Sequence, residues 1–179
     1  MSIKQTLVGY AQLSLEDNVS ISSTAPIYLF DIDGTLANCS ERQKVFDDAS
    51  LSKKEQWARF MSRCDQDTPI HPTINTLKLL VSAGAEILFF TGRFEKHRAT
   101  TIAWLAEHLD MPAEKIATRL TMRPDNDSTE DCVLKETWWK NMLDIDRQRI
   151  VAVFDDRQQV VDMWRRNGVT CYQVAEGNF

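Results

Sequence analysis

Ile27-Tyr28-Leu29-Phe30-Asp31-Ile32-Asp33-Gly34-Thr35 is the stretch that decides the fold of this chain. A short apolar run that ends near a turn glycine predicts a buried strand, here 27–30, with two carboxylates at its carboxyl end. In open α/β sheets, ligands bind at that end of the strands. Two carboxylates one residue apart repel each other unless a cation or a shared proton lies between them. Both arrangements suit chemistry on a phosphate, with one carboxylate attacking and the other handling a proton.

The Asp33-Gly34 pair also has simpler explanations. Asp-Gly pairs are frequent in turns and can merely close the junction after a strand. A calcium-binding EF-hand loop has its glycine at the sixth position and a glutamate at the twelfth. Counted from Asp31, Gly34 is fourth and the twelfth residue is Arg42, so the spacing excludes that loop. On this motif alone, the turn and the catalytic interpretations both stay open.

Composition indicates a globular chain of about one domain. It has 179 residues, of which 43% are hydrophobic, enough for a proper core. A net charge of -5 argues against coating nucleic acid through bulk positive charge, although a local basic site for a phosphate end is compatible with it. The four cysteines lack metal-ligand spacing and indicate reduced thiols. No membrane span or signal peptide is recognisable, so we expect a cytoplasmic protein that does not bind membranes.

Strand and helix patterns alternate along most of the chain. Apolar runs at 86–90 and 150–154 predict two more strands, and 119–122 and 169–174 predict shorter ones. This alternation predicts an α/β fold, a Rossmann-like parallel sheet flanked by helices. Residues 1–25 are polar and rich in Ser and Thr, which indicates an N-terminal extension before a domain at 26–179.

Helical periodicity fills the gaps between the predicted strands. The residues expected to form buried helix faces or pairs are Ile102, Leu105, Ala106, Leu109, Trp138 with Met142, Trp139 with Leu143, Val160, Met163 and Trp164. A charged, helical-looking stretch at about 38–70 follows the first motif, and we expect it to lie over the site as a small cap. Within it, the spacing of Trp57 and Phe60 favours packing of the cap against the core, with stacking on a base as the alternative.

Polar residues follow three of the predicted strands. Because parallel strands bring their carboxyl ends to one edge, we expect these residues to converge. They are Asp31, Asp33, Thr91, Arg93, Asp155 and Asp156. So many acids at one place need a cation, and oxygen ligands without nearby His or Cys favour Mg²⁺ over zinc. The acidic pair also suits the first turn of a helix, and both roles can hold if Asp156 caps that helix while Asp155 faces the metal.

Phosphoryl transfer also needs donors and positive charge around the phosphate oxygens. Thr91 offers a hydroxyl, Gly92 allows close approach of the backbone, and Arg93 can bind two phosphate oxygens at once. Lys135 is the remaining candidate cation, and Asp131, one helical turn earlier, can orient its ammonium or contact the substrate. From its local sequence, Lys135 is equally compatible with an exposed surface lysine.

In this order, the residues resemble the four motifs of the haloacid dehalogenase (HAD) superfamily. Asp31–Thr35 matches the DxDGT motif, Thr91 the small hydroxyl residue, Lys135 the lysine, and 155–156 the acidic pair. The resemblance implies an Asp31 nucleophile that forms an aspartyl-phosphate, and Asp33 as the general acid/base.

The same resemblance implies a binding site for the phosphoryl group and a Mg²⁺ cofactor. It assigns the phosphoryl group to Thr91 and Lys135. It assigns the metal to Asp31, Asp33, Asp155 and Asp156.

Further features are similar to the 3′-phosphatase domain of phage-type polynucleotide kinase/phosphatase, over roughly 26–179. They are Thr91-Gly92-Arg93, Asp131 four residues before Lys135, Trp138-Trp139, and the stretches 155–165 and 168–179. Arg42, eleven residues after Asp31, stands where that domain has an active-site arginine. The resemblance therefore implies substrate binding by Arg42, Gly92, Arg93 and Asp131. Thr91 replaces a serine of the phage domain and keeps the hydroxyl. The chain has no P-loop, so we expect no kinase activity.

We therefore expect a Mg²⁺-dependent phosphomonoesterase that removes 3′-phosphates from nucleic-acid ends. A nucleotidase acting on free nucleoside monophosphates keeps the same chemistry and stays open, although the short insertion favours a polymer end over a fully enclosed small molecule. The alternative of another class is a non-catalytic module that binds phosphate ends. Such a module should have lost a catalytic position, and all of them are filled here. Asp33 also argues against a dehalogenase, which does not need it.

Overall fold

A parallel sheet with β1 at its centre organises the protein. The computed structural model describes residues 24–177. Five strands pair in the order β5-β4-β1-β6-β7, each parallel to its neighbour. Their bounds are β1 Ile27–Phe30, β4 Glu86–Phe94, β5 Leu120–Arg123, β6 Ile150–Arg157 and β7 Cys171–Gly177. The predicted Rossmann-like α/β fold is confirmed, and β4 and β6 extend three to four residues beyond their apolar runs, into the polar motifs.

Helices cover both faces of this sheet. Their bounds are α1 Ser40–Gln43, α2 Lys53–Ser62, α3 His71–Ser82, α4 Arg98–Leu109, α5 Ala113–Ala117, α6 Asp131–Lys140, α7 Asp144–Arg149 and α8 Gln158–Arg166. Because side chains alternate along a strand, β1 contributes Phe30 to one apolar cluster and Leu29 to the other. Residues of α3, α4 and α5 complete the first cluster, and residues of α6 and α8 complete the second.

The predicted helix faces are largely confirmed, with one correction at the end of α6. Trp138 and Met142 are both buried, as expected. The expected burial of Leu143 beside Trp139 is wrong, because Leu143 is 50% exposed. Since α6 ends at Lys140, Met142 and Leu143 both lie beyond the helix, and helical spacing does not decide which of them is buried.

The cap is an insertion between two short strands, β2 (Ala37–Asn38) and β3 (Thr68–Pro69), which pair antiparallel. It contains α1, a 3₁₀ turn at Lys44–Asp47, and α2. A capping box starts α2, since the Ser52 hydroxyl accepts from the Glu55 N–H and the Glu55 carboxylate accepts from the Ser52 N–H. The predicted small helical cap is confirmed. The predicted N-terminal extension lies outside the described residues, apart from 24 and 25.

Helices of the described chain are too short or too polar to cross a bilayer. The four cysteines are free thiols, as the sequence predicts.

Burial determines which thiols can react. Cys39, Cys64 and Cys171 are buried, and burial raises the pKa of Cys39 and of Cys171 to about 12. Because the thiolate is the reactive form, we expect these three thiols to resist an aromatic disulfide reagent at pH ~8 in the native protein. Cys132, which is partly exposed, should react first. Thiol titration before and after unfolding measures this, and three rapidly reacting native thiols would contradict it.

Candidate active site

The turn after β1 presents the first motif at the carboxyl edge of the sheet. Asp31 continues the pairing with β6, because its N–H donates to the Phe154 carbonyl at 3.0 Å. The Ile32 carbonyl then accepts from the N–H groups of Thr35, Leu36 and Ala37, at 2.8–3.2 Å. This tight turn fixes the backbone between the two aspartates of the motif.

Glycines bring the backbone close to Asp156. Gly34 has a φ of +88°, and a Cβ there would lie 2.2 Å from the Asp156 carboxylate. Gly177 of β7 packs against the same carboxylate, and a Cβ added at Gly177 would lie 2.3 Å from the Asp156 Oδ2 atom. Both the positive φ and the close approach require glycine at position 34.

Replacing Gly34 by alanine should separate conformational strain from displacement of Asp156. Gly84 has nearly the same φ, +86°, but a Cβ at Gly84 would meet no atoms within 4 Å, so Gly84→Ala is the matched control. We expect both variants to lose about 1–2 kcal/mol of unfolding free energy. Hydrolysis of an aryl phosphate, the activity that the motif resemblance implies, should fall at least about tenfold in Gly34→Ala alone, since displacing a ligand or catalytic group by about 1 Å costs that much or more. Equal activity in both variants would contradict the role of this contact.

Lys135 joins three carboxylates in a buried ion cluster. Its Nζ atom lies 2.7 Å from Asp31 Oδ1, 2.8 Å from Asp155 Oδ2 and 3.3 Å from Asp131 Oδ2. The side chain is fully buried, so the alternative of an exposed surface lysine is wrong. Burial alone would lower the pKa of Lys135, but the three carboxylates hold it well above its ordinary value. The ammonium therefore stays charged beside the nucleophile candidate.

The neighbouring acids bind protons more tightly than exposed carboxyl groups do. Burial, opposed by the Lys135 ammonium, raises the pKa of Asp31 well above its usual range. Burial and the adjacent Asp155 carboxylate raise the pKa of Asp156 to about 7. Burial thus disfavours the charged forms of Asp31 and Asp156, and a cation beside these two carboxylates would favour them.

The acidic pair has the opposite arrangement to the one expected. Asp155 Oδ2 accepts from Lys135, and its Oδ1 accepts from the Arg157 N–H at 3.1 Å. The N-cap residue of α8 is Arg157, and no side chain caps that helix. The expectation that Asp156 caps the helix is therefore wrong. Instead, Asp156 Oδ1 is buried without a hydrogen-bond partner among the described residues.

A second ion cluster surrounds Asp33. Arg93 Nη2 lies 2.6 Å from Asp33 Oδ1, and Arg42 Nη2 lies 2.5 Å from the same oxygen. Asp67 binds both arginines, through Arg42 Nε at 2.6 Å and Arg93 Nη2 at 3.0 Å. Arg42 is in α1 of the cap and Asp67 ends the cap insertion, so this cluster ties the cap to the sheet.

The arginines of this cluster contact carboxylates in the structure. Burial would raise the pKa of Asp33, but Arg93 and Arg42 hold it below its ordinary value. Arg93 is fully buried and also contacts Thr101, with Nη1 3.4 Å from the hydroxyl. The Arg93 guanidinium, which the sequence predicts to bind phosphate, therefore binds Asp33 and Asp67. Both Arg42 and Arg93 are placed to orient Asp33.

Asp131 and Gly92 lie beside the first cluster. Arg123 Nη2 lies 3.1 Å from Asp131 Oδ1, and Arg123 Nε donates to the Gly92 carbonyl at 3.1 Å. Burial would raise the pKa of Asp131, but Lys135, Arg157 and Arg123 hold it below its usual value. A Cβ at Gly92 would lie 2.9 Å from Asp131 Oδ1, so glycine allows this close packing.

Thr91 is fully buried at the same edge, where its hydroxyl accepts from the Arg93 N–H at 3.3 Å. The structure thus brings the sequence-predicted site residues to one edge of the sheet. The charged ones form the two ion clusters, except Asp156, which lies beside them with Thr91 and Gly92. Sequence reasoning missed Asp67 and Arg123. Arg123 ends β5 and could have been found by the rule that located the other strand-end residues. Asp67 carries no motif signal.

The donor set fits a hard divalent cation. The carboxylate oxygens of Asp31 and Asp156 are at the same edge, and the orphaned Asp156 Oδ1 needs a partner. Within 24–177, no three His, Cys, Asp or Glu side chains are arranged ready to hold a metal. Mg²⁺ needs fewer, since it is typically bound by one or two carboxylates, with waters and substrate oxygens completing its octahedron.

An open cleft of about 910 Å³ reaches Asp31 and Asp33 from solvent. Residues of α2 of the cap and of the loop before α6 line most of it. The carboxyl edge of the sheet is therefore accessible to a molecule much larger than a phosphate ion.

Comparison with known proteins agrees with this geometry. Residues 25–179 match the family described as the polynucleotide kinase PNKP phosphatase domain, a HAD family. The chain belongs to this family. Over 138 residues, this HAD-type PNKP phosphatase domain is 30% identical to a candidate bifunctional polynucleotide kinase/RNA ligase of Autographa californica nuclear polyhedrosis virus. That alignment covers 76% of this chain and 17% of the viral protein.

Two solved structures have a fold similar to that of this PNKP-type phosphatase domain. A chain of the Pnkp1/Rnl/Hen1 RNA repair complex superposes with a TM-score of 0.67 at 28% identity. The match covers 91% of this chain and 48% of that chain, so our chain spans about half of its length. The Class C acid phosphatase from Bacillus anthracis matches with a TM-score of 0.59 at 16% identity, over 97% of this chain and 77% of that one, and shares the fold.

Proposed function

We propose that this HAD phosphatase domain removes the 3′-phosphate from nucleic-acid ends, with Mg²⁺ and an aspartyl-phosphate intermediate. The observation that carries the proposal is the buried cluster in which Lys135 joins Asp31, Asp155 and Asp131, because two of its members, Asp31 and Asp131, line an open cleft. A charged lysine beside a carboxylate nucleophile supplies positive charge where a phosphate dianion must be stabilised. Membership in the PNKP phosphatase family supports a nucleic-acid end as the substrate.

In the first step, an Asp31 carboxylate oxygen attacks phosphorus and the bond from phosphorus to the 3′-oxygen breaks. The leaving oxygen takes a proton from Asp33, which frees the 3′-hydroxyl. Lys135 and Thr91 hold the transferring phosphoryl oxygens. The Asp33 carboxyl must carry a proton at this step, and the negative charge of an incoming phosphate favours its protonation.

In the second step, water attacks phosphorus and the bond to Asp31 breaks, which releases inorganic phosphate. Asp33 takes the proton of the water, and both aspartates return to their starting states. Asp33 is ionised after the first step, and its contacts with Arg42 and Arg93 stabilise this form, which accepts the proton.

Mg²⁺ would be held by Asp31 and Asp156, with Asp33 contributing through its backbone carbonyl, and it supplies neutralising charge for the phosphate. Asp155 then serves by holding Lys135, because both of its oxygens already accept hydrogen bonds. We propose Arg42 and Arg93 as positioning residues for Asp33, and Asp131 and Gly92 as part of the substrate wall beside Asp31.

Phosphate release from matched oligonucleotides tests the proposal. One substrate carries a 3′-phosphate and the other a 5′-phosphate, with nucleoside 3′- and 5′-monophosphates alongside. We expect Mg²⁺-dependent release from the 3′-phosphorylated oligonucleotide, abolished by EDTA and restored by added Mg²⁺. Release from mononucleotides alone would instead make the protein a nucleotidase. A lack of turnover on every phosphomonoester, including an aryl phosphate, would leave a phosphate-binding module.

A further inference from the structure

The cleft is larger than the reacting phosphate requires. Its volume of about 910 Å³ lies near the upper end of the range for sites that enclose a drug-sized ligand. Asp31 and Asp33 line it, and most of its other lining residues belong to the cap and to the loop before α6, which form the outer part of the cleft. The outer part of the cleft is therefore available for portions of the substrate that do not react.

An exposed aromatic ring faces this outer part. Lys54, Trp57 and Met61 are on one side of α2, at helical spacings of three and four residues, and all line the cleft. Trp57 is 41% exposed, whereas tryptophan side chains are highly buried on average. It meets Phe46 and Phe60 edge-on, with ring centroids 5.0 and 5.6 Å apart. These contacts hold the indole in a fixed orientation while much of its surface stays open.

The ring is tied to the catalytic residues through Phe60. The Arg42 guanidinium carbon lies 4.1 Å from the centre of the Phe60 ring, and Arg42 binds Asp33. Trp57 precedes Phe60 by one helical turn and is much more exposed, since Phe60 is 2% exposed. Trp57 therefore offers open ring surface in the cleft, one helical turn from the residue that packs on Arg42.

Both lysines and acidic residues line the cleft. Lys54 and Lys96 line it, and the Lys96 ammonium lies 5.4 Å from the centre of the Phe94 ring. The loop before α6 is acidic, with Asp125, Asp127 and Glu130 in the lining, and would repel phosphates. Lys54 is on α2 of the cap, whereas Lys96 adjoins the loop, since its backbone N–H donates to the Asp125 carboxylate at 3.0 Å. The ammonium groups of these two lysines should therefore attract a polyanion, and the carboxylates of the loop should repel it.

On the basis of the proposed function, we propose that the outer cleft binds the nucleotides upstream of the terminal phosphate. Trp57 stacks on the base next to the terminal nucleotide, and Lys54 and Lys96 contact the phosphodiester backbone. Stacking of bases on aromatic side chains together with a cationic groove is how proteins bind single strands without reading their sequence. This subsite makes a single-stranded polynucleotide end a better substrate than a mononucleotide.

The length of the substrate tests the stacking contact. The ratio measured is kcat/KM for a 3′-phosphorylated trithymidylate divided by kcat/KM for thymidine 3′-monophosphate. We expect a ratio of at least about fivefold in the wild type, the lower limit for one stacked base. Trp57→Ala should bring the ratio close to one, and Trp57→Phe should keep part of it. Since both values come from one preparation, an unfolded fraction cancels.

Tyr172→Ala is the matched control, because Tyr172 is a 55% exposed aromatic residue on β7, outside the cleft lining. Its ratio should equal that of the wild type. A wild-type ratio near one, or an unchanged ratio in Trp57→Ala, would overturn the inference while leaving the proposed function intact. If no 3′-phosphorylated substrate of either length is hydrolysed while an aryl phosphate is, the proposed function fails and the inference fails with it.

Salt dependence tests the lysines separately. At fixed Mg²⁺, the slope of log kcat/KM against log salt for a 3′-phosphorylated hexathymidylate should become shallower by about 0.7 in Lys54→Ala and in Lys96→Ala, the value for one released counterion on a single strand. Lys44→Ala is the control, because Lys44 is a cap lysine paired with Glu41 and is not in the cleft lining. Slopes equal to wild type in both cleft variants would contradict a phosphodiester path along these lysines.

Discussion

Asp31→Asn should lose at least about 10⁴-fold in kcat/KM on any phosphomonoester, since an amide cannot attack phosphorus and form the acyl phosphate. The fold should survive the change. Asparagine has the same shape and removes a buried negative charge, and Lys135 keeps Asp155 and Asp131 as partners. We therefore expect the unfolding free energy to stay within about 1 kcal/mol of wild type. Steady-state phosphate release and denaturant unfolding measure the two parts.

Asp162→Asn is the matched control for Asp31→Asn. Asp162 is exposed on α8, where it accepts a hydrogen bond from Gln158 at 2.8 Å. It should retain wild-type turnover. Substantial activity in Asp31→Asn would mean that another group, or a directly attacking water, performs the first displacement.

Lys135→Met should be the most destabilising single change at the site. It removes the ammonium shared by Asp31, Asp155 and Asp131, all of them buried. Breaking a buried ion pair by removing one partner costs about 3–5 kcal/mol, a large part of the stability of a typical domain. Urea unfolding measures the loss, and activity should disappear as well because the phosphate loses its positive partner.

The pH dependence of this variant has a definite sign. Without Lys135, the folded-state pKa values of all three carboxyl groups rise. Those of Asp31 and Asp155 move further above their unfolded values, and that of Asp131 rises from below its ordinary value. The folded protein then binds more protons than the unfolded chain, so stability increases as the pH falls. The deficit relative to wild type should shrink between about pH 8 and pH 6. Lys140→Met, on the same helix but 56% exposed beside Glu136, should change stability by no more than about 0.5 kcal/mol at either pH. A Lys135→Met variant as stable as wild type would show that the cluster contributes nothing net.

Strand ends and their polar residues could be predicted from sequence because hydrophobic periodicity and turn residues are local properties of a sequence. The run 27–30 followed by Asp31 and Asp33 predicts both a strand and its functional end. The parallel order of the sheet then brings distant strand ends together without further information. This is why the residues that the motifs marked lie at one edge of the sheet, most of them in the two ion clusters.

Side-chain direction could not be predicted in the same way. Asp155 and Asp156 are consecutive in β6, so their side chains point to opposite sides of the strand, and the sequence does not say which one meets Lys135. Arg93 was expected to bind phosphate because guanidinium suits it, yet guanidinium suits carboxylates equally well. Asp67 lies at the far end of the insertion, and its partnership with Arg42 depends on how the cap folds back.

The central place of β1 has a consequence for biosynthesis. β1 is the first of the five sheet strands to leave the ribosome, yet its two neighbours, β4 and β6, end at residues 94 and 157. A nascent chain therefore carries an apolar strand with unpaired edges until most of the domain has been translated, and such edges favour misassociation. Asp31 and Asp156 come together only after that delay. Truncated translation products should consequently be substrates for chaperones and proteases rather than partly active phosphatases.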